Sequence, residues 1–285
     1  MAKGIRERST AFDAATLADV VLPVPPLEEQ RRIADFLDAE TSRIDKLIDT
    51  CRRSIGALRL AEESVIDSEL STAGQAVVRM KFLASVVDTE HKTAPAVPGG
   101  GYWIAGTSAV RGGSIVVEAL YETNEAVYGE WTRRRRPIPG DILLSREAPV
   151  GEVALYRETD PAIAIGQRMV VISPIHSQVH GEYLLWSLMS ARTREFFGLV
   201  TQGSLHPHLN MSDIGSIPVR MCDVASQALT VRKIDVQVTR IRNLVRSRQR
   251  MSDLLAERRQ SLITAALTGQ FDVTTASGRN LTQGV

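Results

Sequence analysis

Residues 37–65 read LDAETSRIDKLIDTCRRSIGALRLAEESV. Within them Leu37, Ile44, Cys51, Leu58 and Val65 recur every seven positions, and Ile48 and Ile55 follow Ile44 and Cys51 by four. Alternating steps of three and four keep one apolar seam on one side of a helix, which is the pattern of a coiled coil. The surrounding sequence extends the helix over 27–72. Pro25 and Pro26 suit its entrance, Glu28 and Glu29 meet the positive end of its dipole, and no further proline occurs before Pro95. At 1.5 Å of rise per residue such a helix is roughly 65 Å long, well beyond the usual globular length.

A second long helix is expected over 224–268, with Ile234, Ile241, Leu255 and Leu262 in the same phase and Val238 and Val245 between them. Arg248 takes the seam position that Cys51 holds in the first. Shifting one segment by 197 aligns Gln30 with Gln227, Asp38 with Asp235, Arg43-Ile44 with Arg240-Ile241 and Arg53 with Arg250. Two heptad helices share apolar positions by necessity, but not these polar ones, so the pair is a diverged internal repeat. The copies differ in charge. Residues 28–69 carry eleven acids and seven bases, a net −4; residues 223–262 carry nine bases and four acids, a net +5. Opposite charge on matching seams favours antiparallel pairing of the two helices, through Leu37, Ile44, Ile48 and Leu58 on one and Ile234, Val238, Ile241 and Leu255 on the other. The competing reading is two solvated helix faces.

Between the helices the pattern changes. Tyr102–Ala105, Ser114–Leu120, Asp141–Ser145, Glu152–Tyr156 and Met169–Ile172 read as strands separated by Gly and Pro turns, and His180–Phe197 reads as a helix. The expected architecture is α+β: one globular α+β module flanked by two long antiparallel coiled-coil helices. Because antiparallel helices bring its two ends to the same place, the module needs close termini.

Composition excludes several classes. Of 285 residues 44% are hydrophobic and 24% charged, so the bulk is not disordered. The formal charge of +1 implies no anionic partner for the chain as a whole. Cys51 and Cys222 are too few for a disulfide framework and fit a reducing cytoplasm. No run of about 18 apolar residues is present for a membrane span. There is no phosphate loop ending in Gly-Lys-Ser/Thr, no Gly-x-Ser-x-Gly elbow and no Asn/Asp-Pro-Pro-aromatic methyltransferase motif. Asp141 and Glu147 lack the lysine of a metal nuclease, and His206 and His208 alone fall short of a metal-ligand set. No catalytic residue, metal or cofactor is expected.

One local feature does point to a partner. Arg133, Arg134, Arg135 and Arg136 are consecutive, beside Trp131 and before Pro137. Four adjacent guanidiniums are not expected to find enough carboxylates nearby, and phosphate is their natural ligand. A solvated loop is the competing reading.

Three further stretches carry a family likeness. Leu22–Ile33, LPVPPLEEQRRI, resembles the shared helical region of type I restriction–modification specificity subunits. Pro139–Val153 (PGDILLSREAPVGEV), Ile165–Val171 (IGQRMVV) and the segment from Gln202 through Leu209 to Val219 look like the family's recognition-domain motifs in the expected order. The resemblance implies a non-catalytic subunit whose recognition domain reads one half of a bipartite sequence in double-stranded DNA. Its helices would dock adenine-N6 methyltransferase subunits, which restriction subunits then join. Arg133–Arg136 become phosphate contacts; Arg146, Gln167, Arg168 and Gln202 could fork onto base edges, and His206 and His208 contact backbone or bases. Gln167 and Arg168 could equally pin loops within the fold.

Full family members carry two recognition domains, whereas this chain shows one. The resemblance divides it into the end of another recognition domain (1–25), a first long helix (26–74), a recognition domain (75–222), a second long helix (223–270) and a tail (271–285). Phe12-Asp13 and Leu17 match Leu209-Asn210 and Ile214 at the same shift of 197. Either a second copy restores a two-headed reader of a symmetric site, or the chain is a truncated remnant without DNA affinity. A coiled-coil adaptor that binds protein rather than DNA is the alternative from a different class.

Overall fold

The computed structural model describes residues 3–6, 9–11, 24–74, 76–205 and 207–270. The strands in chain order are β1 (Lys3–Arg6), β2 (Ser9–Ala11), β3 (Ala76–Arg79), β4 (Ala84–Asp88), β5 (Tyr102–Ala105), β6 (Val110–Arg111), β7 (Ser114–Ile115), β8 (Tyr121–Thr123), β9 (Ile142–Ser145), β10 (Val153–Leu155), β11 (Ile163–Ile165), β12 (Met169–Pro174) and β13 (Pro218–Met221). The helices are α1 (Leu27–Ala73), α2 (Glu125–Trp131), α3 (Gly181–Met189), α4 (Ala191–Val200), α5 (Met211–Ser216) and α6 (Val224–Leu267). The class is α+β, with a long helix on each side of a sheet domain. The described residues up to 56 together with those from 245 onward form one compact unit, and those between 57 and 244 the other.

In the first unit β1 and β2 pair antiparallel. Helix α1 begins where the prolines allow it. Glu29 and Gln30 both donate their amides to the Pro26 carbonyl, at 2.9 and 3.0 Å. Ile44, Ile48, Cys51 and Ile55 are buried and Leu37 is half-buried, so the heptad seam faces inward. On α6, Ser252 and Ala266 are buried and Leu255 is half-buried. Arg248 is exposed, not in the seam. The inward stripe instead runs through Val245, Ser252, Arg259 and Ala266, where the one guanidinium is matched by a carboxylate of the facing helix. Arg259 pairs with Asp45 at 3.0 Å, basic helix to acidic helix.

In the second unit the same helices run antiparallel. Glu69 meets Gln237 at 3.0 Å and Lys233 at 3.9 Å, while Glu62, a turn or two earlier, meets Arg242 at 2.7 and 2.9 Å. Leu58 and Ile241 are half-buried; Ile234 and Val238 are fully buried. The inward face of α1 changes phase here. Ile66 and Leu70 are buried while Val65 is only partly so, because α1 now packs on the sheet domain's core as well as on a helix.

Antiparallel pairing of β3 with β13 sets Ala76 opposite Met221 and so brings the end of α1 beside the start of α6, as close termini require. Gly74 sits at that junction. A Cβ there would lie 3.1 Å from the Met221 backbone. Asp223 caps α6, accepting from the Ser226 amide (2.9 Å) and hydroxyl (2.6 Å), and these bonds hold its carboxyl below the usual range.

The main sheet has the order β10-β9-β12-β4 with every pair antiparallel, and a second sheet has the order β11-β5-β8. Strands β9 and β12 are covered on both sides. Ile142, Leu144, Val170 and Ile172 face a core shared with α1, α3 and α6; Leu143, Met169 and Val171 face a core shared with β5 and β11 neighbours such as Ala105 and Ile163. Burial of both faces is why these strands read as unbroken apolar runs rather than alternating ones.

Several local expectations change. Ser114–Leu120 is a strand only over Ser114–Ile115, followed by a single 3₁₀ turn at Val117–Ala119. His180–Phe197 is two helices, since Ser190 is extended and its hydroxyl accepts from the Thr193 amide to cap α4. Strand β4 and helix α2 were not anticipated. The proposed match of Phe12, Asp13 and Leu17 lies outside the described residues.

Ile66→Ala is expected to cost about 3 kcal/mol in urea unfolding, through loss of burial plus a residual cavity. Asp223→Ala should lower the melting temperature near neutral pH. A carboxyl held low stabilises the fold above its ordinary titration range and loses that contribution as pH falls through its depressed value, so the two melting curves should converge in strong acid.

Candidate nucleic-acid interface

Sheet register decides which loops meet. Val170 lies opposite Asp88 and Met169 opposite Ser145, so the end of β4, the end of β9 and the start of β12 share one end of the main sheet. Asp88, Arg146 and Arg168 stand just there.

Arg146 ties the segments together. Its guanidinium donates to both carboxylate oxygens of Asp88 at 2.9 Å. Its Nε donates to the Leu209 carbonyl at 2.8 Å, its amide to the Arg168 carbonyl at 2.9 Å, and its own carbonyl accepts from the Leu209 amide at 3.0 Å. Asp88 also accepts from the Thr89 amide (3.0 Å) and lies 3.1 Å from the His91 ring. The Thr89 hydroxyl is directed at the carbonyls of Gly166 (3.0 Å) and Met169 (2.8 Å). Thr93 donates to the Gln167 side-chain carbonyl at 2.9 Å. Arg168, the one non-glycine residue with positive φ (70°) among those described, reaches Glu147 at 3.0 Å. That backbone conformation is uncommon and marks a tightly determined loop.

The arginine run enters the same place. Asn124 caps α2 by accepting from the Val127 amide, and Tyr128 and Trp131 anchor the helix in the core. Thr132 ends it, and Arg133–Arg136 follow. The expectation that these four find too few carboxylates holds in part: among the described residues three of them reach two carboxylates, and Arg136 reaches none. Arg135 forms a fork with Asp141 at 2.9 Å, and Asp141 is buried and also accepts from the Ile138 amide. Arg133 and Arg134 lie 3.5 and 3.6 Å from Glu90, and Arg134 donates to the Thr89 carbonyl at 3.2 Å. Arg136 lies over the Tyr128 ring at 5.7 Å. Glu90 is remote in sequence and reaches the run only because β4 delivers it, which no linear pattern reveals.

Arg133 nevertheless keeps 72% of its side chain exposed, Arg168 53% and Arg134 48%, against 14% for Arg146. Lys92, exposed on the loop after β4, adds a cation that sequence reasoning missed. Its signal was the polar run Asp88–Thr93 directly after an apolar strand. The His208 ring lies 3.1 Å from the Asn210 side chain, next to Leu209. Gln202 is exposed in the turn after α4, and no bond joins its side chain to the Asp88–Arg146 group. His206 lies outside the described residues. The cluster thus gathers seven cations, Lys92, Arg133–Arg136, Arg146 and Arg168, around four carboxylates, Asp88, Glu90, Asp141 and Glu147. Among the described residues no group of three or more His, Cys, Asp or Glu is placed to hold a metal, and no helix is long and apolar enough to cross a membrane.

No family model and no curated protein matches the sequence. Solved structures do. A chain from a study of complex assembly and conformational transition of the type I restriction–modification system aligns with a TM-score of 0.69 and 18% identity, over 94% of this chain and 66% of that one. The HsdS subunit from Thermoanaerobacter tengcongensis aligns with a TM-score of 0.51 and 17% identity, over 94% and 65%. The fold is that of a type I specificity subunit. This chain spans just under two thirds of the length of each of those two. In this fold the basic cluster sits on loops at the ends of main-sheet strands and of α2.

Arg135→Ala is expected to cost about 3 kcal/mol of folding stability, because it strands the buried Asp141 carboxylate. Arg133→Ala should stay within about 0.5 kcal/mol, as exposed charges do. Urea unfolding of the two variants checks the contrast.

Proposed function

We propose that this chain is a DNA-binding specificity subunit of a type I restriction–modification complex, without catalytic activity of its own. In this reading residues 75–222 form the recognition domain, residues 26–74 and 223–270 the helices that hold it, and the cluster around Asp88 and Arg146 faces double-stranded DNA. One observation carries it: loops from five separate segments converge at one end of the sheet, and five exposed cations, Lys92, Arg133, Arg134, Arg136 and Arg168, crown them. Lys92, Arg133, Arg134 and Arg168 are suited to phosphate; Gln167 and His208 stand beside them with groups that can bond to base edges. Arg135 and Arg146 are committed within the fold and would act by positioning the loops.

The likeness to chains of such a system supports adenine-N6 methyltransferase subunits, and then restriction subunits, as the partners of the helices. A second copy of the chain would supply the other half of a bipartite site. Co-purification with a methyltransferase subunit, followed by mass measurement, tests both the partner and the copy number.

Titration of duplex DNA across a range of salt should show a steep loss of affinity. Arg133→Gln with Arg134→Gln should weaken binding to all sequences alike and reduce the salt slope by about 1 for each phosphate contact removed. A flat salt response would overturn the proposal.

A further inference from the structure

The cations of the cluster are held in two distinct ways. Arg135 and Arg146 make short forks onto Asp141 and Asp88, at 2.9 Å. Arg133 and Arg134 approach Glu90 at 3.5 and 3.6 Å, and the Glu90 Oε1 they approach is buried and accepts no hydrogen bond among the described residues. A carboxylate oxygen desolvated to this degree would ordinarily draw in a fork, since an unbonded buried acceptor is costly. Here two guanidiniums stand near it on charge alone, each still largely exposed on its outer side. Among the described residues Arg133 has no other ion-pair partner, whereas Arg134 keeps one anchor on the Thr89 carbonyl.

We infer that Glu90 is a built-in competitor for phosphate. Its carboxylate holds the Arg133 and Arg134 guanidiniums at the mouth of the site without bonding them. An incoming phosphate takes both by forming the charge-assisted bonds that Glu90 does not make. Because each arginine must be drawn off this carboxylate before it grips phosphate, affinity is lowered for every sequence equally. Discrimination is then left to the base-reading groups, because a weaker grip on backbone raises the share of binding that depends on bases. The identity of the ligand as DNA phosphate rests on the function proposed above; the competition itself does not.

The test compares the full chain with Glu90→Gln, with Arg133→Gln/Arg134→Gln, and with all three changes. Glu90→Gln is expected to raise duplex affinity roughly threefold to tenfold, to steepen the salt slope by about 1, and to elute later from heparin. In the Arg133→Gln/Arg134→Gln background its gain should fall below about twofold, since the effect runs through those two side chains. Equal or earlier heparin elution of Glu90→Gln overturns the inference, whatever duplex DNA does. An unchanged gain in the double-arginine background also overturns it, by reducing Glu90 to a general surface charge. If neither protein binds duplex but Glu90→Gln still elutes later from heparin, the DNA reading falls and the competition stands. A measurement on the unaltered protein guards against a variant that misfolds. Adding inorganic pyrophosphate should move the arginine side-chain NMR signals of Arg133 and Arg134 and leave those of Arg135 and Arg146 in place; the reverse pattern refutes the inference.

Discussion

The fork between Arg146 and Asp88 is the interaction on which the candidate interface depends. A single side chain bonds a carboxylate at the end of β4 and a carbonyl in the segment before α5, while its own amide bonds the loop that enters β12. Three connections of different sequence origin are thereby locked to one strand end. The pair is mostly withdrawn from water, which strengthens it and makes the loss of either partner expensive. Loops that must present charges to a ligand need such a fixed base, because an ordered cation loses less entropy when it binds.

Rigidity of that base comes in turn from the sheet beneath it. Strands β9 and β12 bury both faces, one against the long helices and α3, the other against the β5 and β11 layer. A strand covered on both sides cannot slip register without exposing apolar groups on one face and burying polar ones on the other. The positions of Asp88, Arg146 and Arg168 relative to each other are therefore set by packing, well away from any ligand. The long helices contribute differently. Each ion pair between them runs from an acid of α1 to a base of α6: Asp45 with Arg259, Glu62 with Arg242 and Glu69 with Lys233. Such pairs contribute little energy individually at an exposed surface, but one consistent polarity disfavours pairing of like helices.

The arginine run shows how four identical neighbours acquire different tasks. Arg135 turns inward to Asp141 and braces its own loop. Arg136 covers the Tyr128 ring. Arg134 is anchored once, and Arg133 is left facing out. The grading follows from geometry: successive residues in a loop point in different directions, so only some can reach the acids that β4 and the start of β9 provide.

By itself the sequence determined the two long helices, their opposite charge, the apolar strands at Tyr102, Ile142 and Met169, and the absence of recognisable catalytic motifs. These rest on periodicity, local composition and short motifs, all of which act between residues near in the chain. Only the tertiary structure decided that Ile66 and Leu70 rather than Val65 turn inward, that Arg248 leaves the seam, and that Ser190 breaks one helix into two. It alone brought Glu90 to Arg133 and Arg134 and joined Arg146 to Asp88. Those outcomes depend on which strands pair and in what register, a long-range choice made by burial of the whole core, and linear spacing carries no record of it.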